Sequence, residues 1–168
     1  MTTCEPIRIG FPKSVVLHFI DLDQERVRAM FQELFDETNA VGRRIESFVG
    51  HCDELLQELI RLKPSYKSHY HDGQRIITLY LAFCFPEQYA IYKFTEFKTF
   101  MNHVRAKDVP GTGEYERFFK VVRTVYNIIS KDEGLVTLQQ SLLPDGYYKG
   151  DTLMLAQDFI WVTAHKFV

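Results

Sequence analysis

Cysteine, proline and glycine are scarce in this sequence, and each scarcity excludes a class of protein. Among 168 residues there are 3 cysteines, 6 prolines and 9 glycines, while 46% of the chain is hydrophobic. This composition excludes disordered and fibrous proteins. The cysteines are odd in number and form no Cys-x-x-Cys pair, so we expect no disulfide framework. Cys52 and Cys84 occupy apolar positions and are predicted to be small core residues in a reducing cytoplasm.

A segment long enough to span a membrane is also absent. The longest apolar run, from Ile76 to Phe85 and interrupted only by Thr78, has ten residues, too few to cross a bilayer. No signal peptide opens the chain. We therefore expect a cytoplasmic protein that has no membrane partner.

Recognisable catalytic and cofactor motifs are missing as well. Gly111-x-Gly113 lacks the remainder of a phosphate-binding loop, and no Ser, Cys or His lies in a nucleophile motif. Glu96-x-Lys98 has a form used by metal-dependent nucleases, but here it falls at an expected helix start instead of on a strand. Residues 69–72, His-Tyr-His-Asp, lack a second Cys or His pair at zinc-site spacing. We therefore expect no enzyme activity, cofactor or metal in this chain.

One long segment of the chain has few basic residues, and the segment after it has few acidic residues. The acidic segment, Asp21 to Glu58, has 10 acidic and 4 basic residues, whereas the basic segment, Leu59 to Lys131, has 12 basic and 6 acidic residues. The net charge of −2 conceals this division. Such a surface attracts polyanions to one segment and repels them from the other.

The hydrophobic pattern predicts a mainly α fold, a single-domain helical bundle over residues 1–168. Residues 1–20 are expected to form an extended arm or a short strand pair, because Ile7 and Ile9 alternate with polar residues. Residues 21–63 are expected to form a long helical hairpin whose first helix is capped by Asp21 and Gln24. The second helix has a heptad seam of Val41, Ile45, Phe48, Cys52, Leu55, Leu59 and Leu62. That seam suits packing within the domain or a coiled-coil dimer.

Residues 65–168 are expected to form the helical core. The apolar run of residues 76–85 suits a helix or a buried strand, and its Leu and Ala content favours a helix capped by Asp72. Thr95 and Asp151 are expected to cap two later helices. Further helices are expected over residues 114–130 and 135–143.

Cations and tyrosines are interleaved in the basic segment. Lys and Arg neutralise phosphates, and an exposed aromatic ring stacks on a base. The tyrosines are Tyr66, Tyr70, Tyr89 and Tyr92. The candidate DNA-binding set consists of Lys63, Lys67, His69, Arg75, Lys93, Lys98, Arg105 and Lys107. The other interpretation is a solvated helical surface over core tyrosines.

Part of the sequence resembles a helical region that precedes the ATPase domain in many McrB-like AAA+ proteins. The likeness covers roughly residues 65–165. Its pieces occur in order at His71-Asp72, Arg75-Ile76, Leu79-Tyr80-Leu81, Phe85-Pro86-Glu87-Gln88-Tyr89, Tyr92-Lys93-Phe94, Phe97-Lys98, Lys131-Asp132 and Leu153 to Trp161. Two departures are Ala90, where an aromatic residue is expected, and the absence of a Walker motif.

The resemblance implies a function in a modification-dependent restriction system. McrB-like proteins are GTP- or ATP-driven motors that act with an McrC-like nuclease, and their N-terminal regions commonly select DNA, often by a modified cytosine. The chain is therefore expected to be a non-catalytic DNA-targeting domain whose partner is double-stranded DNA. The alternative is a helical interaction or assembly module of the same motor, with a second copy of the chain as a further candidate partner.

Overall fold

The computed structural model describes residues 11–166, and every regular element within that range is an α-helix. The mainly α prediction is confirmed. No helix of the described residues is both long and apolar enough to cross a membrane. The helices are α1 (Pro12–Leu22), α2 (Gln24–Phe35), α3 (Val41–Leu62), α4 (Arg75–Cys84), α5 (Phe94–His103), α6 (Tyr115–Ile129), α7 (Glu133–Leu142) and α8 (Met154–Lys166).

The chain divides into two compact units, Met1–Ile77 and Thr78–Val168, with the boundary inside α4. In the first unit α1, α2 and α3 pack on one another, and in the second unit α8 packs on both α5 and α6. The interpretation of residues 1–168 as a single domain stays a prediction.

Helix α1 replaces the arm or strands that the sequence predicted for residues 12–20. Pro12 lies in the first turn, where its missing N–H costs nothing, and Ser14 Oγ donates to the carbonyl of Phe11 at 2.8 Å. Val15 and Phe19 are buried four residues apart, which is helical spacing. Because the run from Val15 to Ile20 is interrupted only by His18, it shows no helical spacing as a pattern in the sequence. The expected strand at Ile7 and Ile9 lies outside the described residues.

The hairpin of α2 and α3 is present, and its heptad seam is buried within the first unit. Phe48, Cys52 and Leu55 are at most 1% exposed, and only Leu62, at the end of the seam, is largely exposed. Helix α3 contacts both α1 and α2, so the seam packs inside the unit and the coiled-coil dimer interpretation is wrong for it. A seam already covered by the same chain has no apolar face left for a partner helix.

Three predicted helix caps are wrong, although the helices exist. Asp23 caps α2 by accepting the N–H of Arg26 at 3.0 Å, because α1 extends to Leu22 and includes Asp21. Thr95 lies inside α5, which begins one residue earlier. Before α8 it is the hydroxyl of Thr152 that accepts the N–H of Met154, at 3.2 Å.

The apolar run in α4 is helical, as its Leu and Ala content indicated. Ile77 and Leu81 are fully buried, whereas Phe83 is 78% exposed and Cys84 is exposed. The prediction that Cys84 is a core residue is therefore wrong. Ile77 and Leu81 are about one turn apart, so one side of α4 faces the core, whereas Phe83 lies on a side that does not.

Aromatic side chains form the core of the second unit. The rings of Phe97 in α5 and Phe118 in α6 meet edge to face with centres 4.8 Å apart. Phe118 makes a second such contact with Tyr92, also at 4.8 Å. Edge-to-face pairs of this kind add about 0.5–1.5 kcal/mol to the burial of their area.

Candidate functional site

The candidate DNA-binding set is distributed over both units. In the first unit Lys63 is the C-cap of α3, Lys67 lies in the following loop, and Arg75 opens α4. All three are exposed. His69 is instead only 4% exposed, and its Nε2 lies 3.0 Å from Asp53 Oδ1. The structure therefore places His69 in the core, away from any phosphate.

In the second unit the cations lie on α5 and beyond its two ends. Lys93 is the N-cap residue and is partly buried, and Lys98 is exposed in the middle of the helix. Arg105 and Lys107 are exposed beyond its C-terminus. The charge of Lys93 acts on Asp158, whose pKa is nevertheless raised because burial outweighs that attraction.

The cations of the candidate DNA-binding set differ in their partners from Arg26 and Arg28 of the acidic segment. They also differ from Arg117, which lies in the basic segment but outside the set and pairs with Asp108 and Glu114. In the acidic segment Arg26 bonds to Glu54 and to Glu58, and Arg28 lies 2.9 Å from Glu25. Among the residues that the structure describes, no carboxylate lies within 4.0 Å of the side-chain nitrogens of the following members of the set: Lys63, Lys67, Lys93, Lys98, Arg105 and Lys107. Those six charges are not neutralised by an ion pair inside the described chain.

The tyrosines of the basic segment are mostly structural. Tyr66, Tyr89 and Tyr92 are at most 7% exposed. Tyr92 accepts the N–H of Gly113 at 3.0 Å, and its pKa is raised chiefly by burial. Only Tyr70, which is 40% exposed, presents a ring on which a base could stack. For three of the four residues the interpretation as core tyrosines is correct.

A second group, which we call the Cys-His cluster, consists of Cys52, His69 and His71. Each is buried, and one ligand atom from each lies within 4.8 Å of the other two. Cys52 is on the buried seam of α3. Both histidines belong to the loop between α3 and α4, which places them close to Cys52. The short His-x-His spacing lets both rings face the same side of the loop, where they stack with centres 5.8 Å apart.

Hydrogen bonds fix both imidazoles of the Cys-His cluster. His69 Nδ1 accepts the backbone N–H of His71 at 3.0 Å, so its Nε2 carries the proton and donates to Asp53. His71 Nδ1 donates to the carbonyl of His69 at 2.5 Å, which places the ring lone pair on Nε2. The tautomer of each ring therefore follows from its partners.

Burial keeps the thiol of Cys52 and the imidazole of His71 uncharged. It raises the pKa of Cys52 to about 12 and lowers the pKa of His71 to about 4. The sulfur of Met30 lies 4.0 Å from Cys52 Sγ, and the ring of Phe48 lies 5.8 Å from that of His71. Reactive thiols are accessible and have a depressed pKa, so Cys52 lacks both properties of a catalytic nucleophile.

Sequence reasoning considered residues 69–72 as metal ligands but did not connect them with Cys52. Cys52 and His69 are seventeen positions apart in the sequence. Cys52 also belongs to the apolar seam of α3, so its position is accounted for by core packing alone. The available signal was one Cys on the helix that directly precedes a His-x-His loop.

The comparisons with known proteins give no family. No protein-family model, no curated protein and no solved structure matches this chain.

Proposed function

We propose that this chain is a non-catalytic DNA-targeting domain that binds the phosphate backbone of a duplex through exposed cations of the basic segment. In line with the sequence resemblance, it would serve an McrB-like, NTP-driven restriction motor that acts with an McrC-like nuclease. The eight-residue set is reduced to seven, because the buried His69 does not belong to it.

The contrast in ion pairing carries this proposal. A cation already bonded to a carboxylate loses that bond when it contacts a phosphate, as Arg26 would lose Glu58. An exposed lysine such as Lys67 or Lys98 has no carboxylate partner to lose among the described residues. Binding there releases the counterions of the duplex at little cost to the protein.

The test is a fluorescence anisotropy titration of a labelled duplex at several salt concentrations. We expect Lys67→Glu with Lys98→Glu to weaken binding on every sequence. Each lost phosphate contact should also flatten the log–log salt dependence by about 0.9, which corresponds to about a 3.5-fold change in affinity between 50 and 200 mM salt.

The matched control is Arg28→Glu with Lys149→Glu. It changes the net charge by the same amount and also places one substitution in each unit. Both of its cations already have carboxylates nearby, Glu25 at 2.9 Å and Asp145 at 3.8 Å. Equal losses in the two double variants would show that net charge alone governs binding and would contradict the assignment to the basic segment.

Recognition of a modified base is a separate part of the proposal. Parallel titrations on unmodified and cytosine-modified duplexes measure it directly. Because Tyr70 is the one tyrosine among the four that presents its ring, Tyr70→Leu should remove any preference that depends on stacking. A preference that persists in this variant would place the recognition elsewhere.

One observation favours the alternative function, a helical interaction or assembly module. Helix α7 buries none of its residues, and Leu138 and Leu142 are 56% and 75% exposed. Exposed leucines one turn apart are typical of a helix that packs on a partner. If the wild-type chain binds no duplex at about 50 mM salt, where phosphate contacts are strong, the alternative replaces DNA targeting.

A further inference from the structure

Three kinds of observation around the Cys-His cluster point to a bound cation, and the first is the choice of side chains. A thiol and two imidazoles are common ligands of zinc and copper. Cys52 and His71 are fully buried and His69 is 4% exposed, so the three donors converge in a dry interior where an ion would be shielded from water.

The second observation is distance. The centre of a triangle whose sides are all 4.8 Å, the largest separation in the cluster, lies about 2.8 Å from each corner. Zinc bonds are about 2.3 Å to sulfur and about 2.0–2.1 Å to nitrogen, so each donor would move inward by less than about 1 Å. Side chains on a loop and a helix make such a movement without refolding.

The third observation is the hydrogen-bond partners of the two histidine rings. A metal-bound histidine almost always donates its other ring N–H to a carboxylate or a backbone carbonyl. His69 donates from Nε2 to the carboxylate of Asp53, and His71 donates from Nδ1 to the carbonyl of His69. Nδ1 of His69 and Nε2 of His71 are then the nitrogens that would bind the ion.

These contacts also describe a hydrogen-bonded core without any ion, in which His69 Nδ1 accepts the amide of His71 at 3.0 Å. An ion would take that lone pair, so the amide would give up its acceptor at a cost of about 1–3 kcal/mol. A structural zinc site contributes about 10–16 kcal/mol of apparent binding free energy in small peptides, which exceeds that cost several-fold.

We propose that Cys52, His69 and His71 form a structural site for one zinc or copper(I) ion, which ties the loop after α3 to that helix. The two ions share this donor chemistry but differ in their use of a thioether. Met30, whose sulfur lies 4.0 Å from Cys52 Sγ, supplies a soft fourth donor that copper(I) favours and zinc does not. This site is independent of the proposed DNA targeting.

The test uses the full chain, purified without metal and titrated separately with Zn²⁺, Co²⁺ and Cu⁺ under reducing conditions. Native mass spectrometry should show one ion per chain. The cobalt form should show the near-ultraviolet absorption of a cobalt–thiolate bond. We expect Cys52→Ala to abolish that absorption, whereas Cys84→Ala, which changes an exposed cysteine outside the cluster, should retain it.

Two further variants complete the design. Asp53 has a side chain that is 65% exposed, so Asp53→Asn should fold normally, and we expect it to weaken metal binding about 10–100-fold. Met30→Leu should weaken copper(I) binding and leave zinc binding unchanged if Met30 is the fourth donor. Equal retention of zinc and copper(I) by Met30→Leu would exclude Met30 as a ligand of copper(I).

Two results would overturn the site. One is a wild-type chain that takes up no stoichiometric Zn²⁺, Co²⁺ or Cu⁺. The other is Asp53→Asn binding as tightly as the wild type, which decides the matter even if Cys52→Ala fails to fold. Circular dichroism of each variant establishes which of them are folded before the titrations are compared.

Discussion

The buried Arg44 of α3 offers the sharpest test of how the acidic hairpin is held together. It is 3% exposed, and its Nη1 donates to the carbonyl of Leu34 at 2.8 Å. Leu34 belongs to the last turn of α2, where carbonyls lie beyond the helical hydrogen-bond ladder. A cation at this end also complements the helix dipole. Arg44 therefore closes the C-terminus of α2 from the neighbouring helix.

Two effects oppose each other when Arg44 is replaced by Met. Loss of a hydrogen bond from a charged donor costs about 1.5–3 kcal/mol, and the carbonyl of Leu34 is left buried without that donor. Replacement of a buried ionic group by an apolar one of similar volume is, in other proteins, often neutral or stabilising by about 1–4 kcal/mol. That gain is largest where the desolvation of the charge is poorly compensated. Nε of Arg44 is buried without a hydrogen bond to any described residue, whereas its Nη1 satisfies a carbonyl at the end of α2, and we expect the second effect to dominate. We expect Arg44→Met to lower the free energy of unfolding by about 2 kcal/mol.

Urea denaturation followed by the helical circular dichroism signal measures this difference. The control is Arg43→Met, one residue away in the same helix but exposed, for which we expect a change within about 0.5 kcal/mol. The slope of unfolding free energy against urea should be unchanged in both variants. If Arg44→Met is as stable as the wild type or more so, desolvation dominates at this site and the proposed closure of α2 is wrong.

Two further predictions concern single contacts of very different weight. Gln157 is 8% exposed and its Oε1 accepts the N–H of Ile91 at 2.7 Å, so Gln157→Leu should cost about 1–3 kcal/mol and speed hydrogen exchange at the Ile91 amide. Unchanged exchange at that amide would contradict the contact. Arg26 bridges α2 to Glu54 and Glu58 at the surface, so Arg26→Gln should cost less than about 1 kcal/mol, and less still in high salt. A loss as large as that of Arg44→Met would refute this ranking.

The sequence predicted helices best where a long amphipathic period leaves no other solution. The seam of α3 repeats over three heptads, and a strand of that length could not bury it on one face. Helix α1 was missed because its short run of apolar residues suits a strand or a helix equally. The predicted cap of α2 was wrong for a related reason. Asp21 and Asp23 are both good cap residues, and only the length of α1 decides between them.

Burial was less predictable than secondary structure in the basic segment. Lys67 and His69 lie two residues apart in the same loop and were assigned the same role, yet the structure exposes one and buries the other. The difference depends on Asp53, which reaches His69 from α3. Such contacts between distant positions cannot be recovered from local patterns, and the same holds for the approach of Cys52 to His71.

Both proposals involve the loop between α3 and α4, but they depend on different side chains of that loop. Lys67 follows Tyr66, whose buried hydroxyl lies 3.1 Å from the ring of His18, so the backbone at this lysine is anchored without any ion. An ion in the Cys-His cluster would anchor the same loop two residues later, at His69. Loss of the ion therefore acts on the stability of the loop, whereas loss of the Lys67 charge acts on counterion release. Because the salt slope depends on the number of phosphate contacts and not on stability, it separates failure of one proposal from failure of the other.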